Sequence, residues 1–239
     1  GWIHDYWGRM ANEANSPNLT SLLQQNFDAI ESVTGRRITE YSSPMGNTPT
    51  WAVQWMEARG VRAMYLVADL GLGVNRSWRN GTRLTNKLWT VPVTPLGKYA
   101  TFEEFDEFGI TDAESGQWLL DLQSFVVNRR TNRMFYNHPP GARGHLNPVN
   151  ALLDRGETLK TAGSFSWYTM TELADHAQRR VETSWSTSQN GNLVTFNASH
   201  PSGLANQAWL LPKSRYGAPV ITGGAGTVSG DATDWIVIV

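Results

Sequence analysis

The chain has 239 residues, with 20 Lys and Arg against 21 Asp and Glu, a formal charge of −1. That balance argues against nucleic acid or an anionic membrane surface as partner, since either calls for a basic patch. No run approaches the roughly 18 apolar residues that read as a membrane span, and the absence of cysteine excludes disulfides, thiolate metal sites and cysteine nucleophiles together.

Residues 16–34 open with Ser16-Pro17, a cap followed by proline at the first helical position. Leu19, Leu22, Leu23, Phe27 and Ile30 then share one face, and Gly35 ends the run. Thr48-Pro49 opens a second helix carrying Trp51, Trp55 and Met56, closed by Gly60. Residues 61–68 follow at once as a short apolar strand. Helix, glycine and buried strand in succession are the grammar of an α/β layer structure.

Further along, 88–93 reads as a strand. Thr101-Phe-Glu-Glu104 is a capping box opening a short helix, and Asp112 is expected to cap a helix holding Trp118, Leu119, Leu122 and Phe125. Residues 133–138 read as a strand stopped by Pro139-Pro140. Asn147-Pro148 starts another helix, 164–168 looks like the last strand of the layer, and Thr169-Met-Thr-Glu172 is a second capping box. From Val181 onward the chain is rich in Ser, Thr, Asn and Gly and loses helical period. Asn190-Gly191 marks a hairpin there, with 208–211, 220–222 and 235–239 as further strands. The expected organisation is an α/β domain over 1–181 and a small β-sandwich-like module over 182–239. Both ends are expected to cut through folded elements.

With 5 histidines and no cysteine, a transition-metal site must rest on imidazole and carboxylate. His138 and Asp69 each stand at the carboxyl end of an expected strand, where α/β barrels and open α/β sheets keep their active sites. Surface placement is the bland alternative for either one. His145, His176 and His200 have no such placement, and His176 is expected on the polar face of the last helix. There is no G-x-S-x-G elbow, P-loop or H-E-x-x-H motif. The 11 tryptophans suit either a core or the flat faces of sugars.

Taken in order, several segments resemble the polysaccharide deacetylases of the NodB-homology type. These are Trp2-Ile-His4, the helix ending Thr34-Gly35-Arg-Arg, Tyr41-Ser-Ser-Pro-Met-Gly46, the strand ending Val67-Ala-Asp69, Tyr136-Asn-His138, and Trp167-Tyr-Thr-Met with the helix after it. The resemblance covers residues 1 to about 180 and implies the later part of an incomplete, distorted (β/α) barrel. His4 matches the second histidine of the family's H-S/T-x-x-H metal motif; the first, and the T-F-D-D motif, would fall upstream of Gly1. Ser42 stands where the groove motif usually has Arg.

The activity so implied is metal-assisted removal of N-acetyl groups from an amino-sugar polysaccharide, outside the cell or in its envelope. The cofactor would be a divalent metal, zinc first, with His4 as ligand. His138 would protonate the leaving amine, Asp69 would hold that histidine, and the Met45 backbone N–H would receive the oxyanion. Two alternatives stand beside the enzyme: a non-catalytic relative that keeps the sugar groove, and a carbohydrate-binding module whose working part is 182–239.

Overall fold

The computed structural model describes residues 4–67, 73–93 and 95–239. Two compact units emerge, Gly1–Ala174 and Asp175–Val239. The first mixes α and β. It begins with α1 (His4–Met10), α2 (Ser16–Thr34), β1 (Glu40–Tyr41), a 3-10 turn (Pro44–Gly46), α3 (Thr50–Ala58) and β2 (Ala63–Val67). Three two-residue strands follow, β3 (Asn75–Arg76), β4 (Trp78–Arg79) and β5 (Thr82–Arg83), and then β6 (Trp89–Val93). The unit closes with helices α4 (Phe102–Glu107), α5 (Asp112–Arg129), α6 (Pro139–Gly144), α7 (Leu146–Thr161) and the start of α8 (Met170–Glu182).

The main sheet has the order β1-β2-β6-β3, with β1, β2 and β6 parallel and β3 antiparallel at the edge. Single parallel bridges, Val93 to Met134 and Thr101 to Tyr136, carry the same direction onward. Among the described residues no sheet closes into a barrel. Both neighbours cover β6, so every one of its residues is buried, as a strand between two layers requires. The turn that feeds it is held by Glu57, whose Oε1 accepts the amides of Asn86, Lys87 and Leu88 at 2.7, 2.5 and 3.1 Å.

Helix boundaries follow local chemistry. Gly35 takes φ 64° at the end of α2 and returns its N–H to the Glu31 carbonyl at 2.9 Å, a left-handed turn that glycine adopts without a Cβ penalty. Both expected capping boxes form. The Glu104 carboxylate accepts the Thr101 amide at 3.2 Å, and that of Glu172 accepts the Thr169 amide at 2.7 Å. A third precedes α5, where Thr111 and Glu114 exchange bonds. The cap is therefore Thr111, and Asp112, expected in that role, is the first helical residue. Likewise Asn15 caps α2, one residue before the expected Ser16.

Other elements differ from expectation. Residues 133–138 make only the two isolated bridges, and Pro139-Pro140, read as a stop, opens α6 instead. Residues 164–168 form no strand. Trp167 lies edge-to-face on Phe165 at 4.9 Å and against Gly156 of α7, so these rings seal a helix surface rather than a sheet edge. Helix α1 and the small ribbon β4–β5 carry too few residues for periodicity to announce them. Asn80 and Gly81 between those two strands both have positive φ, 48° and 78°, the type I′ geometry that Asn-Gly prefers.

One core gathers Trp7, Leu19, Leu23, Phe27, Met56, Val61 and Leu88 between α1, α2, α3 and the sheet. A second gathers Phe102, Phe105, Leu119 and Leu152 between α4, α5 and α7. A third, small and aromatic, holds Tyr65, Val93 and Ala100 with Met134, Tyr136 and Met170 packed on it. Each fully buried large side chain contributes roughly 1.5–3 kcal/mol relative to exposure.

The second unit contains the hairpin β7 (Ser184–Asn190) with β8 (Leu193–Ser199) and a separate antiparallel sheet of order β10-β11-β9. These strands are β9 (Ala208–Pro212), β10 (Thr227–Gly230) and β11 (Asp234–Ile238). The hairpin forms where Asn190-Gly191 announced it, with Asn190 paired to Leu193 and Gly191, at φ 57°, first in the loop. The expected strand at 220–222 is absent; Val220 is exposed, and the pairing segment is β10.

A Cβ built on Gly156 would stand 2.6 Å from Trp167 Cζ2 and 3.1 Å from Gln123 Nε2. Gly156→Val is therefore expected to overpack this contact and lower stability by about 1–3 kcal/mol, seen as a reduced urea midpoint at unchanged slope.

Candidate active site

Residue alternation along β2 sends Met64 and Tyr65 to opposite faces of the sheet. Tyr65 is 7% exposed and donates its hydroxyl to the Ser43 carbonyl at 3.1 Å. On its other side the ring stacks on Tyr136, with centroids 5.4 Å apart and planes 18° apart. Two residues on, His138 stands edge-to-face to Tyr136, and its Nε2 lies 2.7 Å from the Tyr136 hydroxyl oxygen. Nδ1 of the same ring lies 2.5 Å from Glu103 Oε1, which also accepts the His138 amide at 2.9 Å.

The tautomer follows from these partners. An ionised carboxylate can only accept, so Nδ1 carries the hydrogen; in the neutral ring Nε2 then accepts from the Tyr136 O–H. Glu103 is ionised for a physical reason. Burial alone would raise its pKa, but hydrogen bonds from its own amide, from the His138 amide and ring, and from Thr101 outweigh that and hold it below the ordinary 4.5. Its place in the first turn of α4 also suits a negative charge. The Tyr136 phenol is pushed up, first by burial and then by Tyr65 and the Glu103 charge.

The Ser43 carbonyl that Tyr65 holds opens the turn bearing Met45. Met45 has φ 54° and ψ 22°, a left-handed conformation unusual for a side-chain-bearing residue, and Gly46 follows at φ 68°. The turn's own hydrogen bonds run from the Gly46 amide to Ser43 and from the Asn47 amide to Pro44, and neither uses the Met45 amide. Such strain is concentrated at functional sites. Helix α1 docks on this turn. Trp7 Nε1 donates to the Asn47 carbonyl at 2.9 Å, and Asn47 Nδ2 donates to the Gly8 and Ala11 carbonyls at 3.1 and 2.7 Å.

The candidates from sequence therefore fall as follows. Met45 and His138 belong to one connected tract, joined through Ser43, Tyr65 and Tyr136. His4 is the first residue of α1, which packs on the Met45 turn, and its Nδ1 lies 3.0 Å from Asp5 Oδ1. Asp69, and Trp2-Ile3 of the histidine motif, lie outside the described residues. Zinc needs three or four protein ligands. Among the described residues no group of three His, Cys, Asp or Glu side chains gathers for a metal.

Glu103 is the residue that sequence reasoning missed. Its only signal was membership of the Thr101–Glu104 capping box, where Glu104 has the capping role and Glu103 reads as a solvated neighbour. His145 also had no placement in sequence. It is 5% exposed, stacked on Phe102 at 5.8 Å, with Nδ1 3.3 Å from both Asp112 and Ser115 and Nε2 3.5 Å from Asp106, and so pins α4, α5 and α7 together. His176 is exposed on α8, as expected of that helix's polar face, with Nδ1 3.3 Å from Gln207 Nε2. Partial desolvation, with Arg180 and Arg179, pushes its pKa down.

A cavity of about 420 Å³ lies on the other face of the sheet, lined by Met64, Thr90, Ser77, Trp78 and Asn47 among others. Among the described residues it borders the turn of the His138 tract at Gly46 and Asn47. His138 is the candidate centre because a titratable ring, a carboxylate and a phenol converge there.

No family model matches this chain, and a search of curated proteins finds no match. Among the described residues, no helix is long and apolar enough to cross a membrane.

Two outcomes are expected. Met45→Gly should relieve the left-handed strain and raise stability by about 0.5–1 kcal/mol, since the Met45 side chain is 60% exposed; a urea titration checks it. Glu103, with its folded pKa lowered, stabilises the fold fully above its ordinary 4.5, and the contribution is lost as pH falls through the folded value. The stability gap between the native chain and Glu103→Gln should therefore be widest near neutrality and close on acidification, measured by urea unfolding at pH 7 and pH 3.

Proposed function

We propose that this chain is a divergent polysaccharide deacetylase of the NodB-homology type, built on a distorted (β/α) barrel and acting in the cell envelope or outside the cell. The reaction is hydrolysis of an N-acetyl group on an amino-sugar polymer. The C–N bond of the amide breaks, water supplies the hydroxyl that becomes part of acetate, and the nitrogen leaves as a free amine. The single observation that carries the reading is His138, with Glu103 on one ring nitrogen and a phenol on the other, tied through Tyr65 to the strained Met45 turn.

Each part has a task in that reaction. The Met45 amide, outside the turn's own bonds, is available to the oxyanion of the tetrahedral intermediate, a type of donor typically worth about 10²–10³ in rate. Glu103 fixes the His138 tautomer and stabilises the imidazolium, as a buried carboxylate does behind a catalytic histidine. It fills the place that the resemblance gives to Asp69. Imidazole is a side chain that can both hold and deliver a proton, which suits delivery to a departing amine. Zinc enters this reading only through His4 Nε2, and the steps above belong to the chain's own residues.

The test is acetate release from a β-linked N-acetylglucosamine oligomer by the full chain, with zinc supplied. Release should stop with chelator and fall at least about 10²-fold in His138→Ala. Oligomer binding with no acetate released would point to the non-catalytic sugar-binding relative instead.

A further inference from the structure

We infer that the Tyr136 hydroxyl, rather than the His138 ring itself, is the group that hands the proton to the departing amine, with His138 as its relay. The inference rests on the deacetylase reading and adds a catalytic residue to it.

Both nitrogens of His138 are engaged: Nδ1 by Glu103 at 2.5 Å and Nε2 by the Tyr136 oxygen at 2.7 Å. A direct donation from Nε2 to substrate would have to displace that phenol. Tyr136 is not loosely placed, because it stacks on the buried Tyr65 and packs in the small aromatic core with Val93 and Ala100. Tyr65 in turn is anchored to the Ser43 carbonyl, at the start of the turn whose Met45 amide would receive the oxyanion. The phenol, its relay and the oxyanion donor thus share one rigid support, which is what proton transfer in a transition state requires.

The phenol responds to the charge on the ring. While His138 is neutral, the Tyr136 O–H donates to Nε2. Once the ring is protonated, Nε2–H donates and the phenol oxygen accepts, so the phenol hydrogen is released to point away from the ring. Glu103 favours that charged state by its own charge. Burial, Tyr65 and Glu103 all raise the Tyr136 pKa, which keeps the phenol a donor at neutral pH.

The protons balance. Attacking water adds its oxygen to the acetyl carbon and releases one proton to solvent, and solvent charges the His138 ring with one. As the C–N bond breaks, its electron pair goes to nitrogen, which takes the Tyr136 hydrogen. The phenolate oxygen then takes the Nε2 hydrogen. His138 returns to its Nδ1–H tautomer, bonded to Glu103 as at the start.

The experiment compares Tyr136→Phe, which keeps the stacking ring, with Tyr65→Phe in the full chain, using acetate release and imidazole ¹⁵N spectra. Tyr136→Phe should lower kcat by about 10²–10⁴-fold with little change in KM, and the Nε2 resonance should move to that of an unbonded nitrogen while Nδ1–H persists. Tyr65→Phe should leave the Nε2 resonance in place. Native kcat in Tyr136→Phe, or an unmoved Nε2 resonance, overturns the relay while leaving the deacetylase reading intact; no acetate from the native chain overturns both. Should Tyr136→Phe fail to fold, 3-fluorotyrosine at position 136 keeps ring and hydroxyl but makes the phenol more acidic. A changed kcat then supports the relay, and an unchanged one sinks it.

Discussion

Five residues of β2 run parallel to five of β6, from Ala63 opposite Trp89 to Val67 opposite Val93, and the rest of the first unit is arranged around that ladder. Parallel neighbours cannot be joined by a tight turn, so the chain must leave the sheet and return, and the excursion supplies the β4–β5 ribbon. The pleat then divides labour between the faces. Met64 and its register partner Thr90 border a cavity, whereas Tyr65 turns to the face where Ser43, Tyr136 and the third core meet. Sliding the pairing by a single residue would exchange the two faces and remove Tyr65 from Tyr136.

Charge inside this unit serves two ends that compete for the same residue types. Glu57 spends its carboxylate on three amides, and His145 lies between Asp106 and Asp112 as a packing pin. Glu103 is placed differently. Its carboxylate takes both the amide and the ring of His138, at a site where the histidine side chain is still 52% exposed. A carboxylate on a buried histidine consolidates helices; the one on the accessible His138 orients a ring whose far nitrogen meets the Tyr136 phenol. The difference lies in burial, which neither residue's sequence context encodes.

Much of the helical framework was legible because its signals are local. Leu19, Leu23 and Phe27 recur at helical spacing, and the Thr–Glu boxes at 101–104 and 169–172 act within one turn of backbone. The hairpin at Asn190-Gly191 is equally local. Strand-like runs without a partner were misread for the converse reason. Residues 164–168 alternate as a strand would, but Phe165 and Trp167 found a helix surface instead of a neighbouring strand. Residues 133–138 reached only two bridges, because Pro139 and Pro140 turn the chain directly into α6.

For the site, the amino-acid string by itself singled out two candidates: His138 by its residue type at the end of a strand-like run, and the Met45 turn by a family resemblance. It also determined the starts and stops of the long helices, since capping and periodicity act over three or four residues. Only the tertiary structure decided what His138 touches. Its carboxylate comes from 35 positions earlier in the chain, and the Tyr65 that supports its phenol comes from β2. Hydrogen bonds and ring stacking act over a few ångströms of space whatever the separation along the chain, so such partners become visible only when the chain is folded.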